Sequence, residues 1–361
     1  MEKKFFKGKK VLITGHTGFK GAWLSLLLNK FGAQVFGYAL NPPTSPNLYD
    51  LVYSERFIQS YIGDIRDFER LKDFIKETQP QIIIHLAAQS LVKASYKDPR
   101  FTFETNVMGT VNILEAARTT GTVKVILNVT TDKCYENKEW VWGYREDDVL
   151  GGHDPYSNSK ACSELITASY RNAFFKTDGN DKNGIAVATA RSGNIIGGGD
   201  WSLDRLVPDF MRSMQALENV VIRNPGATRP WQFILDSLFG YLILVKKLYT
   251  EGQDYAGSWN FGPGEDHNKT VGWVVSQLCI NWGGNASYTI EDTSNEHEAK
   301  FLKLDSSKAK RRLAWSNVYS LEEGVDKTVE WYKEYLNGKM VRELCEFQID
   351  EFMKIKDSRD K

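Results

Sequence analysis

The sequence predicts an α/β protein, a doubly wound parallel sheet joined to a smaller mixed α/β C-terminal domain. Short runs rich in Val and Ile alternate with longer helical patterns from Lys9 to about Arg191. These runs are apolar throughout, as strands covered on both faces of a parallel sheet must be. The first run also leads directly into a glycine-rich turn and an amphipathic helix. Together these observations indicate a sheet with helices on both faces.

The predicted elements follow one another in strand–helix order. Six apolar runs are predicted as strands: VLIT, QVFGY, RFIQSYI, QIIIHLAA, VKVILNVT and GIAVATAR. The helical patterns between them cover Ala22–Phe31, Phe68–Thr78, Phe103–Arg118 and Tyr156–Phe174. This alternation is typical of βαβ units.

The alternation ends near Arg191, where segments rich in Gly, Pro and Trp begin, such as SGNIIGGGDWSLDRLVP and RNPGATRPWQF. We therefore expect a first domain over residues 1–191 and a second over residues 192–361. The helical pattern Ile234–Tyr249 and the strand SWNFG are expected to return to the first domain, over about 233–260.

Composition excludes several classes of protein. The 361 residues hold 46 Lys and Arg against 46 Asp and Glu, which disfavours nucleic-acid or membrane-surface binding through bulk charge. No apolar run approaches the ~20 residues of a membrane helix. The four cysteines lack Cys-x-x-Cys spacing and the five histidines form no HExxH pattern, so we expect no metal site. We expect a cytoplasmic protein without a nucleic-acid or membrane partner.

The glycine-rich turn follows the first predicted strand. Glycines there let the backbone approach a pyrophosphate, which binds at the helix N-terminus, so the sequence is Rossmann-like. The residues of this turn are Gly15, His16, Thr17, Gly18, Phe19, Lys20 and Gly21. Asn41 stands where an acid for the adenosine ribose is expected, and no Arg is present for a 2′-phosphate, so NAD is favoured over NADP. Asp64 is a candidate for the adenine amino group or, alternatively, a helix N-cap.

Tyr156 and Lys160 open a predicted helix with i,i+4 spacing, which places phenol and ammonium on one helix face. A cation beside the phenol, together with a bound nicotinamide ring, would lower the phenol's pKa and let it act as a base near neutral pH. The same spacing recurs at Tyr335 and Lys339, so spacing alone is weak evidence. Tyr156, however, follows a strand that ends in Val129-Thr-Thr131-Asp132-Lys133 within the α/β half.

Six segments carry a family resemblance: TGHTGFKG, HLAAQ, NVMGT, TTDKCY, YSNSK and RSGNIIGGGDW. In these the chain resembles the extended short-chain dehydrogenase/reductase superfamily, in its NAD-dependent epimerase/dehydratase branch, and within it the CDP-glucose 4,6-dehydratase family. The resemblance covers roughly Lys9 to Tyr332.

The resemblance implies a set of catalytic residues. Thr131 would hydrogen-bond the sugar 4-hydroxyl, Tyr156 would remove its proton, and Lys160 would hold the nicotinamide ribose and tune Tyr156. Asp132 would protonate the departing 6-hydroxyl. Lys133 stands where related dTDP-glucose enzymes carry a glutamate base for the C5 proton, and its alternative role is an ion pair with Asp132 or Glu136.

The resemblance also implies binding residues. Besides the turn, Tyr156 and Lys160, the cofactor would contact Asp64, Ile65, Leu86, Ala87, Ala88, Gln89 and Asn106. Guanidinium groups grip phosphate oxygens well, so several arginines are candidates for the substrate diphosphate. The substrate candidates are Arg191, Asn194, Trp201, Arg205, Arg223 and Arg229.

The implied reaction converts CDP-D-glucose to CDP-4-keto-6-deoxy-D-glucose and water. Oxidation at C4 acidifies the C5 proton, water leaves across C5–C6, and hydride returns to C6 from the retained cofactor. A nucleotide-sugar 4-epimerase is the alternative enzyme, which needs Tyr156 and Lys160 but no acid/base pair such as Asp132 and Lys133. A non-catalytic dinucleotide sensor is the alternative outside enzymes. The resemblance further implies a homodimer or homotetramer that pairs through Phe103–Arg118 and Tyr156–Phe174.

Overall fold

The computed structural model of the protein describes residues 2–53, 57–176, 184–264, 268–291 and 301–359. Its central sheet has seven strands in the order β10-β6-β5-β4-β1-β2-β3, and every neighbouring pair is parallel. The strands are β1 (Lys10–Thr14), β2 (Gln34–Ala39), β3 (Gln59–Ile62), β4 (Ile82–His85), β5 (Val125–Val129), β6 (Ala186–Ser192) and β10 (Gly257–Phe261). The predicted doubly wound sheet is thereby confirmed.

The helices of this half cover both faces of the sheet. They are α1 (Glu2–Phe6), α2 (Phe19–Lys30), α3 (Leu48–Val52), α4 (Phe68–Thr78), α5 (Val92–Lys97), α6 (Pro99–Phe103), α7 (Gly109–Thr120), α8 (Pro155–Tyr170) and α10 (Ile234–Glu251). The helix predicted over Phe103–Arg118 differs from α7, because a π-helical turn at Glu104–Met108 separates α6 from α7. Tyr156–Phe174 likewise ends in a π-helical turn, at Arg171–Phe175.

Alternation along the central strands divides the core into two layers. Val11, Ile13 and Ile84 belong to the larger cluster, whereas Leu12 and Ile83 belong to the cluster on the opposite face. Successive strand residues point to opposite faces. Continuous apolar runs are therefore required here, since both faces of the sheet are buried.

The remaining chain forms two small sheets and the helices around them. The strands are β7 (Asn194–Ile196), β8 (Val220–Ile222), β9 (Thr228–Phe233), β11 (Asn268–Thr270) and β12 (Tyr288–Ile290). Their orders are β11-β9-β7 and β12-β8. The helices are α9 (Leu206–Ala216), α11 (Val271–Trp282), α12 (Ser307–Leu313), α13 (Leu321–Leu336) and α14 (Val341–Arg359). Of the described helices, none has the length and apolar character that crossing a membrane requires.

The central sheet fixes where a ligand can bind. The strand order reverses between β1 and β4, and ligands of such sheets bind beyond the carboxyl ends of the strands at that point. Thr14 and His85 end β1 and β4, and Val129 ends the next strand, β5. The glycine turn and the segment beginning at Thr130 therefore leave the sheet at the same edge.

Candidate active site

The turn between β1 and α2 is built from glycines with two different tasks. Gly15 has φ +76°, and a Cβ there would lie 2.7 Å from the Ala87 nitrogen. A Cβ on Gly21 would lie 2.2 Å from the Gly15 oxygen. Gly18 is different, because its Cβ would meet only the Gly15 oxygen, at 3.4 Å. Gly15 and Gly21 permit the tight turn, and Gly18 leaves its outer side open.

This open side lies at the N-terminus of a twelve-residue helix. Gly18 is the N-cap of α2, and no side chain caps the first turn. The first N–H groups of a helix need acceptors, and their partial positive charge favours an anion. The turn therefore suits a diphosphate.

Side chains within the turn point away from its open side. The His16 ring is buried, with Nε2 2.7 Å from Ser60 Oγ, and burial lowers its pKa to about 4. The Thr17 hydroxyl donates to the Leu40 carbonyl at 2.8 Å. His16 and Thr17 are thus placed to offer backbone groups rather than side chains to a cofactor.

Lys20 differs from its neighbours in the turn. Burial lowers the pKa of its ammonium to about 8, and the positive charges of Arg205 and Lys160 lower it further, while Asp132 and Asp200 oppose the shift. Lys20 therefore lies close to Asp132 and Lys160, which the sequence did not indicate.

The carboxylate of Asp64, the candidate for the adenine amino group, is held by Arg66, with contacts of 2.6 to 3.1 Å to the guanidinium. Hydrogen bonding to Arg66 keeps the pKa of Asp64 below its ordinary value. The alternative role of Asp64 as a helix cap is wrong, because α4 is capped by Asp67. The Ile65 side chain is buried in the smaller core cluster.

The segment after β4 is tied to both β1 and α8. Leu86 and Ala87 donate their backbone N–H groups to Thr14 Oγ1, each at 3.2 Å. Asn106 accepts from the Gln89 N–H at 2.8 Å and donates to Ser159 Oγ at 2.8 Å. Asn106 lies in the π-helical turn, a feature frequent at functional sites. It therefore joins the predicted cofactor segment, which also includes Ala88, to the helix of Tyr156.

The proposed acid lies just after β5. Asp132 is 1% exposed, and its Oδ1 accepts a hydrogen bond of 2.9 Å from the Thr131 hydroxyl. Its Oδ2 has no hydrogen-bond partner in the described part of the chain. Burial raises the pKa of Asp132, while the positive charge of Lys133 opposes that shift. Burial makes the protonated form of a carboxyl group more favourable than it is in water, and that form can donate a proton.

Tyr156 and Lys160 occupy the first turns of α8 and are both buried. Burial raises the pKa of Tyr156 to about 12, and a hydrogen bond with Thr131 and the charge of Arg205 lower it. The Lys160 ammonium donates to the Val129 carbonyl at 3.3 Å. Burial also lowers the pKa of Lys160 to about 8.

Arg191 is not available to a substrate diphosphate, and we withdraw it from the binding set. Its guanidinium is 2% exposed and forms two hydrogen bonds with the Glu164 carboxylate, at 2.9 and 2.8 Å. It also donates to the Tyr135 phenol at 2.7 Å and to the Glu146 carbonyl at 2.9 Å. Glu164 lies one turn after Lys160 on α8.

Trp201 is also a packing residue rather than an open wall of the site. It is buried, and its ring lies 5.8 Å from Trp331, 5.8 Å from Tyr332 and 5.6 Å from Tyr335. The aromatic residues of α13 therefore hold the segment after β7 in place.

The other substrate candidates all lie in the second half of the chain. Arg205 forms an ion pair of 3.1 Å with Asp200 and donates to Ser90 Oγ at 3.3 Å, so it joins the two halves of the chain. Arg229 is buried on β9, and its charge acts on Asp132. Asn194 begins β7, which pairs with β9. Arg223 is exposed after β8.

The protein-family model described as GDP-mannose 4,6 dehydratase matches residues 12–328. The CDP-glucose 4,6-dehydratase of Salmonella typhimurium is 47% identical over 353 residues, which cover 98% of each chain. A UDP-glucose 4-epimerase of Mycolicibacterium smegmatis is 28% identical, over 90% of this chain and 98% of its own. Among solved structures, dTDP-glucose 4,6-dehydratase of Bacillus anthracis in complex with NAD has a TM-score of 0.73 at 22% identity, with 91% and 97% of the two chains covered.

Proposed function

The chain belongs to the GDP-mannose 4,6 dehydratase family, and we propose that it converts CDP-D-glucose to CDP-4-keto-6-deoxy-D-glucose and water. The 47% identity to a CDP-glucose 4,6-dehydratase over nearly the full length of both chains carries this proposal. The resemblance predicted from the sequence motifs is thereby confirmed. The environment of Asp132 gives the chemical support.

NAD is the cofactor, and the glycine turn fits its diphosphate. The open side of Gly18 and the uncapped first turn of α2 would hold the pyrophosphate, and Lys160 would hold the nicotinamide ribose. Asp64 and Asn41 would bind at the adenosine end. NAD bound there would supply the hydride acceptor for oxidation at C4 and the hydride donor for reduction at C6, and its positive charge would favour ionisation of Tyr156.

Each proton transfer of the reaction would be carried out by a different side chain in or near the group around Tyr156. Tyr156 would remove the proton of the sugar 4-hydroxyl, which Thr131 would orient by hydrogen bonding. Asp132, whose pKa is raised by burial, would donate a proton to the departing 6-hydroxyl. Lys133 follows directly and, in its neutral amine form, would accept the C5 proton. General acid and base groups of this kind each contribute about 10²- to 10⁴-fold to a rate.

The substrate diphosphate would lie among cations that the second half of the chain supplies. Arg229 and Arg205 are best placed. The positive charge of Arg229 acts on Asp132, and that of Arg205 acts on Tyr156. Asn194 and Arg223 complete the proposed set. Binding of the diphosphate, which is remote from the reacting carbons, would orient the sugar over Tyr156.

A 4-epimerase would share the fold and Tyr156, and the similarity to the mycobacterial epimerase shows that the two reactions occur on related chains. Epimerisation has no leaving 6-hydroxyl to protonate. A buried acid with an unpartnered oxygen beside Thr131 therefore favours dehydration.

Assembly, location and domain division are further parts of the proposal. Leu165 and Phe174 are each 57% exposed on and after α8, which supports homodimer or homotetramer pairing through α7 and α8. All four cysteines are free, which supports a reducing compartment such as the cytoplasm. The cofactor domain would comprise 1–191 with about 233–260, since β10 pairs with β6. The rest of 192–361 would bind the nucleotide sugar.

The direct test is incubation of the purified, NAD-loaded protein separately with CDP-, dTDP-, UDP- and GDP-glucose, followed by mass spectrometry of each sugar nucleotide. Loss of one water from CDP-glucose alone is expected. Absence of any mass change with all four substrates, with NAD still bound, contradicts dehydration and favours the epimerase, whose product has the mass of the substrate.

A further inference from the structure

Glu164 and Arg191 form an ion pair beneath the active site, and each is 2% exposed. Glu164 uses both carboxylate oxygens, since its Oε1 and Oε2 each accept from a different guanidinium nitrogen of Arg191. The side chains of Thr130 and Thr189 also donate to it, at 2.5 and 2.6 Å. Burying two charges is costly, and it is often no better for stability than apolar packing. Stability alone therefore does not explain why these two charges are buried here.

The first relevant contact is made by Thr130, which directly precedes the proposed catalytic residues. Thr131 is extended, with φ −156° and ψ 160°. Neighbouring side chains of extended backbone point in opposite directions. Thr130 accordingly reaches Glu164, while Thr131 contacts Asp132 and Tyr156. One end of the segment 130–135, which contains the proposed catalytic residues Thr131, Asp132 and Lys133, is thus fixed to α8.

The second contact lies at the other end of that segment. Asp132, Lys133 and Cys134 form a single 3₁₀ turn, and Tyr135 follows it. The Tyr135 phenol accepts a hydrogen bond of 2.7 Å from Arg191 and donates one of 2.7 Å to Asn260 on β10. Both ends of the segment 130–135 are therefore bound to the same ion pair.

The ion pair also has a fixed relation to the other catalytic residues. Glu164 lies on α8, one turn after Lys160 and two turns after Tyr156. Arg191 lies on β6, which pairs with β5 immediately before Thr130. The ion pair thus connects the helix that carries Tyr156 and Lys160 with the segment that carries Thr131, Asp132 and Lys133.

We propose that Glu164 and Arg191 are positioning residues, which hold the segment 131–133 at a fixed distance from Tyr156 and Lys160 through Thr130 at one end and Tyr135 at the other. Neither residue touches the reacting atoms. Misplacement of a reacting group by about 1 Å can cost as much as 10²-fold in rate, so such a connection has a kinetic value. This inference rests on the proposed dehydratase function.

Thr130→Val and Thr189→Val provide a matched pair of variants. Each removes one short hydrogen bond to Glu164 from a buried threonine and replaces a hydroxyl by a methyl. Thr130 adjoins the catalytic segment, whereas Thr189 lies within β6, which carries no proposed catalytic residue. Thr130→Ser keeps the hydroxyl and serves as the conservative variant.

The experiment measures kcat and KM for CDP-glucose, bound NAD and the unfolding midpoint of the NAD-loaded wild type and these three variants. Thr130→Val is expected to lower kcat by about tenfold or more with KM within about twofold, and Thr130→Ser and Thr189→Val to keep kcat within about threefold. Both valine variants are expected to lower the unfolding midpoint similarly, so that stability does not explain the difference.

Equal kcat values for Thr130→Val and Thr189→Val, whether both normal or both reduced, would overturn the inference. If Thr130→Val does not fold, Tyr135→Phe removes the contact at the other end of the segment, and an unchanged kcat in that variant would equally overturn it. A wild-type protein that does not turn over CDP-glucose contradicts the proposed function itself, and the inference is then withdrawn with it.

Discussion

The Thr131 hydroxyl donates a hydrogen bond of 2.9 Å to Asp132 Oδ1, which leaves Oδ2 as the oxygen that can carry and donate a proton. Thr131 also interacts with the Tyr156 phenol, and this interaction lowers the pKa of the phenol. One threonine therefore lies between the proposed base for the 4-hydroxyl and the proposed acid for the 6-hydroxyl. The groups proposed to act at the 4-hydroxyl and at the 6-hydroxyl therefore lie next to the same threonine.

Asp132→Asn is expected to allow oxidation at C4 but to block the loss of water. The amide keeps an oxygen for Thr131 but cannot supply the proton, so we expect dehydration to fall by about 10²- to 10⁴-fold while NAD binding is retained. Mass spectrometry of the product and the NADH absorbance together check this, since C4 oxidation without elimination accumulates NADH. Dehydration at the wild-type rate would contradict the assignment of Asp132.

Tyr156→Phe removes the proposed base and tests whether the chain is an enzyme or a dinucleotide sensor. We expect turnover to fall by about 10²-fold or more, with bound NAD and the unfolding midpoint unchanged, because the phenol makes no contact required for the fold. Steady-state kinetics and extraction of bound NAD measure these quantities. Tyr335→Phe, at the second site with the same spacing, is the control and should keep full activity.

Gly18→Ala and Gly21→Ala distinguish the two tasks of the turn. Gly18 has φ −80°, which alanine adopts freely, and its methyl would fill the open side. We expect NAD affinity to fall by about tenfold, with the stability of the NAD-free protein unchanged. Gly21→Ala collides with the Gly15 carbonyl, so it should cost about 1–3 kcal/mol of stability as well. Calorimetric titration with NAD and thermal unfolding separate these effects, and an unchanged affinity in Gly18→Ala would refute the diphosphate site.

Asp236, in the first turn of α10, predicts a pH dependence of stability. Burial raises its pKa to about 8 from an ordinary 3.8, while hydrogen bonds from the backbone N–H groups of Val318 and Tyr319 oppose the shift. Between these values the folded protein keeps a proton that the unfolded chain has lost. The free energy of unfolding therefore falls as pH rises through this window, by about 1.4 kcal/mol per pH unit for this group.

Asp236→Asn removes that contribution and keeps an oxygen for the Val318 N–H, which donates at 2.5 Å. Urea unfolding at several pH values between about 5 and 7 should show a smaller loss of stability with pH in the variant than in the wild type. Identical slopes for the two proteins would contradict the protonated state of Asp236.

Local patterns were sufficient to predict much of the fold and the turn. The spacing of Gly15, Gly18 and Gly21 after a strand indicates a tight turn before a helix. The apolar runs predict buried strands even though the neighbours of each strand in the sheet are not known from the sequence. The interruption of the helix at Asn106 was missed, because a π-helical turn depends on contacts with Gln89 and Ser159 that spacing does not reveal.

Arg191 and Trp201 show why the substrate set was less predictable. An arginine near a site can bind phosphate only if its guanidinium is not already paired with a carboxylate. Arg191 is paired with Glu164, which is 27 positions away in the sequence. Trp201 packs against helix α13, whose residues are far along the chain. Side-chain partners at such separations are set by tertiary packing, which composition and periodicity do not encode.

The most direct test of the account is turnover of CDP-glucose that carries deuterium at C4, with mass spectrometry of the product. We predict a product that has lost one water and kept the deuterium, now at C6, because the hydride that leaves C4 returns to the same molecule. A product with the mass of the substrate, or a dehydrated product from which the deuterium has been lost, would contradict the proposed reaction.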